Sequence, residues 1–169
     1  DIVRTGKALH RRAEGEALAQ SLQARVEAIA TKTKHVAHAP SVLAIEWIDP
    51  VMIGGLWMPE LITLAGGTPM LTSPGEHAPT LSLAQLQRLD PDVVLIKPCG
   101  FDLARTLKEL DTLPRTLPWN EWRAVREGRV FVADGNAFFN RPGPRLVESL
   151  ELLAACLHPE RFADFAQQH

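Results

Sequence analysis

Three short runs limit what this chain can fold into: VLAIEW at residues 42–47, DVVLIK at 92–97 and VFVA at 130–133. Each is nearly continuous in apolar residues instead of alternating, which is the pattern of strands buried on both faces. Helical patterns lie between them. Residues 58–65 begin beside Pro59, whose missing N–H is no loss in a first helical turn, and stop at Gly66-Gly67. Residues 83–89 follow two capping candidates, Thr80 and Ser82, and end at Asp90-Pro91. A turn at Pro98, Cys99 and Gly100 precedes a helix over 101–110. Leu146, Val147, Leu150, Leu153, Ala154 and Leu157 then recur at helical spacing. The alternation predicts a three-layer α/β lobe, with a mainly parallel sheet flanked by helices on both faces. Three stretches read as irregular: a flexible approach to Trp57 over 51–56, a turn-rich 68–75 with a short strand at Met70, and the passage from Pro114 through Pro118 to Trp122.

Residues 6–30 are rich in helix formers, with Leu18, Leu22, Val26 and Ile29 on one stripe. A single helix of that extent spans about 38 Å, longer than a crossover helix in a compact domain requires, and suits a connection between two lobes. The expected division is therefore a long linking helix and linker over 1–39, then an α/β lobe over 40–169. The linker holds His35 and His38, which read as solvated residues. With 18 basic and 20 acidic residues spread along 169, there is no basic stripe for nucleic acid and no cationic face for a membrane. No signal-peptide pattern stands at the start of these residues. Cys99 and Cys156 match no zinc or redox spacing, and no disulfide is expected between them.

Signals for catalysis are weak. Ser73 and Ser149 lack the glycine frame of a nucleophile elbow, there is no HExxH helix, and Gly54-Gly55 is not a phosphate loop. His77 reads first as an exposed loop residue, and Cys99 as a small turn residue with no base nearby. The aromatic residues carry more information. Trp47, Asp49, Trp57, the Cys99-Gly100-Phe101 turn and the 134–145 loop DGNAFFNRPGPR all follow strands, and in a parallel sheet such loops converge on the carboxyl edge. Asn136, Phe138, Phe139 and Arg141 belong to that last loop. Several rings and one arginine at one edge suit a large, flat, partly anionic ligand. Arg145, in the first turn of the final helix, reads as structural. Of Phe138 and Phe139, one is expected to pack inward and one to face the ligand, with Trp47, Phe101 and Phe139 forming an open edge.

Three segments, EWIDPVMIGGLWMPELITLAGG, LQRLDPDVVLIKPCGFDLART and GNAFFNRPGPRLVESLELLA, resemble in their joint order the periplasmic binding proteins that serve ABC importers of cobalamin, haem and iron siderophores. The similarity is greatest to the cobalamin type. It implies two lobes joined by one long helix, of which residues 6–30 and the carboxyl-terminal lobe stand here. It further implies a non-enzymatic, extracytoplasmic protein with no cofactor of its own, which binds cobalamin or another metal chelate in the interlobe cleft. Arg141 falls where such relatives place a ligand-contacting arginine. The glutamate with which the family docks on its permease is replaced by Ala84, with Gln85 after it, and Glu60 and Glu76 are the nearest acids. The upstream tryptophan of relatives is replaced by His77 and Ala78. Two rival readings are a chelatase-like tetrapyrrole enzyme using His77 or Cys99, and a homodimeric interaction module joined along the long helix.

Overall fold

In the computed structural model, which describes residues 1–113 and 117–162, the apolar runs form one sheet. Its strands are β1 (Ser41–Ile48), β2 (Val51–Ile53), β3 (Thr68–Pro69), β4 (Val93–Ile96) and β5 (Val130–Val132). The order is β2-β1-β4-β5, with β3 pairing to the start of β1, and every pairing is parallel except β1 with β2. Side chains alternate between two apolar layers. Val42, Ala44, Val93 and Leu95 face one layer, and Leu43, Ile45, Val94 and Ile96 face the other, which explains the unbroken apolar runs.

The first layer is closed by α3 (Met58–Leu64), by Leu150, Leu153 and Leu157 of the final helix, and by Ile29. The second is closed by Leu86, Leu113, Leu117 and a fully buried Trp122, whose Nε1–H donates to the Leu86 carbonyl at 3.3 Å. Ser82 caps α4 (Leu83–Leu86) through a reciprocal pair of hydrogen bonds with Gln85, as expected of one of the two candidates. Asp102 caps α5 (Leu103–Glu109), which starts two residues later than the turn at Gly100 suggested. Short helical turns at Trp119–Glu121 and α6 (Arg123–Arg126) fill the passage before β5. The part of that passage at Pro114 lies outside the described residues. The final helix, α7 (Leu146–Leu157), matches its periodicity.

Two expectations are corrected. The helix predicted over 6–30 is two helices, α1 (Ile2–Ala8) and α2 (Arg12–Thr33), folded against each other. The break is a Schellman stop: His10 takes a left-handed φ of 58°, its N–H donates to Lys7, and the Arg11 N–H reaches back to Gly6. Histidine is among the residues that tolerate this conformation, so no glycine marked the stop. Gly6 and Gly15 face each other so closely that a Cβ on Gly6 would stand 3.1 Å from the Gly15 Cα. The second correction concerns residues 51–53, which form β2 and not a flexible approach. Their Met52 and Val51 continue the β1 ladder beyond a bulge between Ile45 and Trp47.

The lower half of α2 is fixed to the lobe. Arg25 makes a two-pronged bond to the buried Glu151 at 2.8 and 2.6 Å, and the Thr33 hydroxyl donates to Leu64 O at 3.0 Å. Across the sheet, Ile53, Ile45, Ile96 and Val132 stand in one register row. β4 and β5 end at this row, whereas β1 runs on to Ile48 and returns through β2. The row is the carboxyl edge, and the β1–β2 ribbon rises above it.

Candidate functional site

Every loop that follows the row has one end pinned to it. On the β4 flank, the Lys97 and Cys99 N–H groups donate to the Ile45 and Glu46 carbonyls at 2.9 and 3.0 Å, and the Ala133 N–H donates to Ile96 at 2.9 Å. The 134–145 loop opens with a single wide helical turn, Gly135–Phe139, capped by the Asp134 carboxylate at 2.7 Å from the Ala137 nitrogen. Such wide turns recur at functional sites. Gly135 lies flat against the β4 turn, since a Cβ there would stand 2.1 Å from the Pro98 carbonyl oxygen, and the Asn136 N–H donates to Phe101 O at 3.0 Å. Trp47 stands edge-on to Phe101 with ring centres 5.5 Å apart, while the Arg105 guanidinium lies 3.6 Å from the Phe101 centroid. The Trp47 Nε1–H donates to the Asp49 carbonyl at 3.0 Å.

On the β2 flank a second set of loops meets the same row. The Gly54 N–H donates to Ala44 O at 2.7 Å, and Leu56 exchanges backbone bonds with the 75–76 turn at 2.6 and 2.8 Å. Gly55 abuts the backbone of Glu76, His77 and Ala78, where a Cβ would approach within 2.5–2.7 Å. His77 is thereby held beside the 54–57 turn. Trp57 is half-buried against the first apolar layer, with its Nε1–H buried and without an acceptor among the described residues. An unpaired buried donor of this kind costs about 1–3 kcal/mol.

The structure thus brings the expected residues to one edge but grades them by exposure. Asp49, His77, Asn136 and Arg141 are exposed, Trp47 is 37% exposed, and Trp57, Cys99 and Phe138 are half-buried. Phe101 at 7% and Phe139 at 1% are buried, which corrects the expectation of an open edge built from them. Phe139 packs inside the first layer beneath Lys97, and Phe101 is covered by Trp47 and Arg105. They shape the wall from behind. Phe138 lies under the Arg145 guanidinium, 5.8 Å from its centroid, and borders a cavity of about 170 Å³ with Phe131 and Cys156. Arg145 is spent on structure, donating to Ala137 O and pairing with Glu148, whereas the Arg141 side chain meets no acid among the described residues.

A pair of residues at the row escaped the sequence reading. Lys97, only 1% exposed, holds Glu46 at 3.1 Å and lies 5.9 Å from the Phe139 centroid. The signal was present: one charged residue of each sign at the same end of two adjacent apolar strands. The two charges neutralise each other beneath the wall, leaving Arg105, stacked on Phe101, and Arg141 as its outward cations. Burial pushes the Cys99 thiol up, with Lys97 opposing and Glu46 reinforcing, so it stays protonated near neutrality. Cys156 is pushed up to about 11 by burial, and both cysteines are free. Among the described residues no three metal-ligating side chains gather, and no helix is long and apolar enough to cross a membrane.

A family model described as "Periplasmic binding protein" matches residues 1–137. The chain belongs to the periplasmic binding protein family. Solved structures agree on the fold of this periplasmic binding protein. The haem complex of IsdE from S. aureus superposes with a TM-score of 0.77 at 17% identity, covering 93% of this chain and 62% of that one. An ABC transporter substrate-binding protein from Listeria monocytogenes EGD-e gives 0.78 at 21% identity, over 94% and 62%. A periplasmic heme binding protein from Pseudomonas aeruginosa gives 0.75 at 24%, over 94% and 58%. The chain therefore spans about three fifths of the length of the structures it matches. No curated protein matches it.

Proposed function

We propose that this chain is the linking-helix and carboxyl-terminal part of an extracytoplasmic solute-binding protein for an ABC importer, and that its carboxyl edge is one wall of a cleft for a metal chelate such as haem, a corrinoid or a siderophore. Binding is all this wall does. The observation that carries the reading is the row itself: the turns bearing Trp47, Asp49, Trp57, Asn136 and Arg141 leave the sheet at or beside one level, the turn before His77 is bonded to them through Leu56, and the exposed cations Arg105 and Arg141 stand among aromatic surfaces. Rings cover the apolar faces of a macrocycle, and a free guanidinium pairs with its carboxylate or amide groups. Family membership and the solved haem-binding neighbours support the same assignment.

The permease side of the reading rests on acids near α4. Ala84 is exposed and uncharged, and the Gln85 side chain is occupied in the cap of its own helix. Glu76 is tied to the Ser73 N–H at 2.8 Å, so Glu60, exposed in the first turn of α3, is the acid left to meet a permease arginine. Transport assays test both halves. Arg141→Ala should lower chelate affinity and leave docking intact, while Glu60→Ala should do the reverse; equal effects of both on affinity would refute this division of roles.

A further inference from the structure

Three residues other than glycine take a left-handed backbone among the described residues: His10, Leu56 with φ 53°, and Leu71 with φ 64°. His10 ends a helix. The leucines end none. A branched, bulky side chain at positive φ is a genuine outlier, and such strain persists only where surrounding structure forces it. Here the force is visible. Leu56 is bonded on both sides, its N–H donating to Glu76 O at 2.6 Å and its carbonyl accepting from Gly75 at 2.8 Å. Leu71 is fixed between the Met70 N–H, which donates to Val42 O, and the Thr72 hydroxyl, which donates to Gly54 O at 3.0 Å. The Thr72 bond also stitches the 70–72 segment to the 54–56 turn. Yet neither side chain packs inward: Leu56 is 40% exposed and Leu71 is 55% exposed. Glycine or asparagine would occupy both positions with less strain.

We infer that Leu56 and Leu71 are a strained apolar contact for the ring face of the cleft's ligand. The inference rests on the reading of the carboxyl edge as a ligand wall. The place supports it, because the 54–56 turn starts at the row shared by Ile45, Ile53, Ile96 and Val132, directly before the half-buried Trp57. Leu56 adjoins Trp57 in the chain, and the Thr72 bond to Gly54 holds Leu71 at the same turn, so two exposed apolar side chains are presented there. A macrocycle with an apolar face would gain from this surface, whereas a hydrophilic siderophore would not.

The test uses Leu56→Asn and Leu71→Asn in the protein expressed from its complete gene, with haem and cyanocobalamin as probes and thermal melting as a parallel readout. Each variant should melt at the wild-type temperature or a few degrees above it, and each should weaken binding of the probe by about tenfold. Leu56→Met, which restores an apolar side chain, should recover most of the affinity. Wild-type affinity in both asparagine variants overturns the inference while leaving the ligand wall standing. Wild-type affinity combined with lost transport assigns the leucines to the permease and also overturns it. A wild-type protein that binds neither probe overturns the inference, and one that also fails to bind a ferric hydroxamate siderophore overturns the wall with it.

Discussion

Replacing Gly135 by alanine attacks the joint that brings two of the site's loops together. The added methyl would stand 2.1 Å from the Pro98 carbonyl oxygen and 2.9 Å from that of Lys97. Both obstacles are backbone, so no side chain can swing aside, and the 134–145 loop must lift by about 1 Å to restore a normal contact. Overpacking of this sort costs about 1–3 kcal/mol, and losing the Asn136-to-Phe101 backbone bond adds roughly 0.5–1.5 kcal/mol. A total of about 2–4 kcal/mol corresponds to a fall in melting temperature of roughly 5–15 °C for a domain of this size. Gly143 lies in the same loop with nothing within 4 Å of a Cβ and without a positive φ. Gly143→Ala should therefore be neutral or stabilising by a few tenths of a kcal/mol. Urea unfolding of the two variants beside the wild type decides the matter. Equal stabilities for Gly135→Ala and Gly143→Ala would refute the close docking of the β5 loop on the β4 turn.

Lys97→Met should destabilise by about 2–3 kcal/mol, below the usual cost of breaking a buried pair because Glu46 keeps some exposure, and Lys97→Met with Glu46→Gln should recover most of it. Denaturant melts of the single and double variants measure the difference. Arg25→Ala strands Glu151, 4% exposed, and should lose about 3 kcal/mol in the same assay. Burial alone would push Asp92 up, but bonds from the Ser41 N–H and hydroxyl, then the charges of Arg123 and His38, outweigh it and hold its carboxyl below the usual range. With a folded value below an unfolded one of about 3.9, its stabilisation is complete above that pH and disappears as pH falls through the folded value. Asp92→Asn should thus be less stable than wild type at pH 7, with the gap closing on acidification; a gap that is constant with pH would contradict this.

The sheet and its helices were legible because each rests on a local rule. Unbroken apolar runs mark strands covered on both sides, Ser82 and Gln85 announce a cap, and Gly66 stops α3 with a φ of 83°. The failures share a cause, which is contact between residues distant in sequence. Nothing near His10 marks a helix end, because the end depends on Gly6 meeting Gly15. β2 is three residues long and exists through its pairing with β1. The candidate site was legible as a set of loops but not as a surface. Phe138 and Phe139 are neighbours in the chain, yet burial of Phe139 follows from its place beneath Lys97 in the first apolar layer. The Lys97–Glu46 pair above Phe139 was written in VLAIEW and DVVLIK, and becomes meaningful once those strands are adjacent.

The central claim is that the carboxyl edge is one wall of a chelate-binding cleft, with Trp47 at its surface and Arg141 as the cation that meets the ligand. Intrinsic tryptophan fluorescence of the protein from its complete gene, titrated with haem, cyanocobalamin and a ferric hydroxamate siderophore, tests it most directly. Saturable quenching by at least one of the three is expected, weakened by about tenfold or more in Arg141→Ala and unchanged in Arg126→Ala, an exposed arginine of α6, which leads into the amino end of β5. No saturable response to any of them, or one that is indifferent to Arg141, would contradict it.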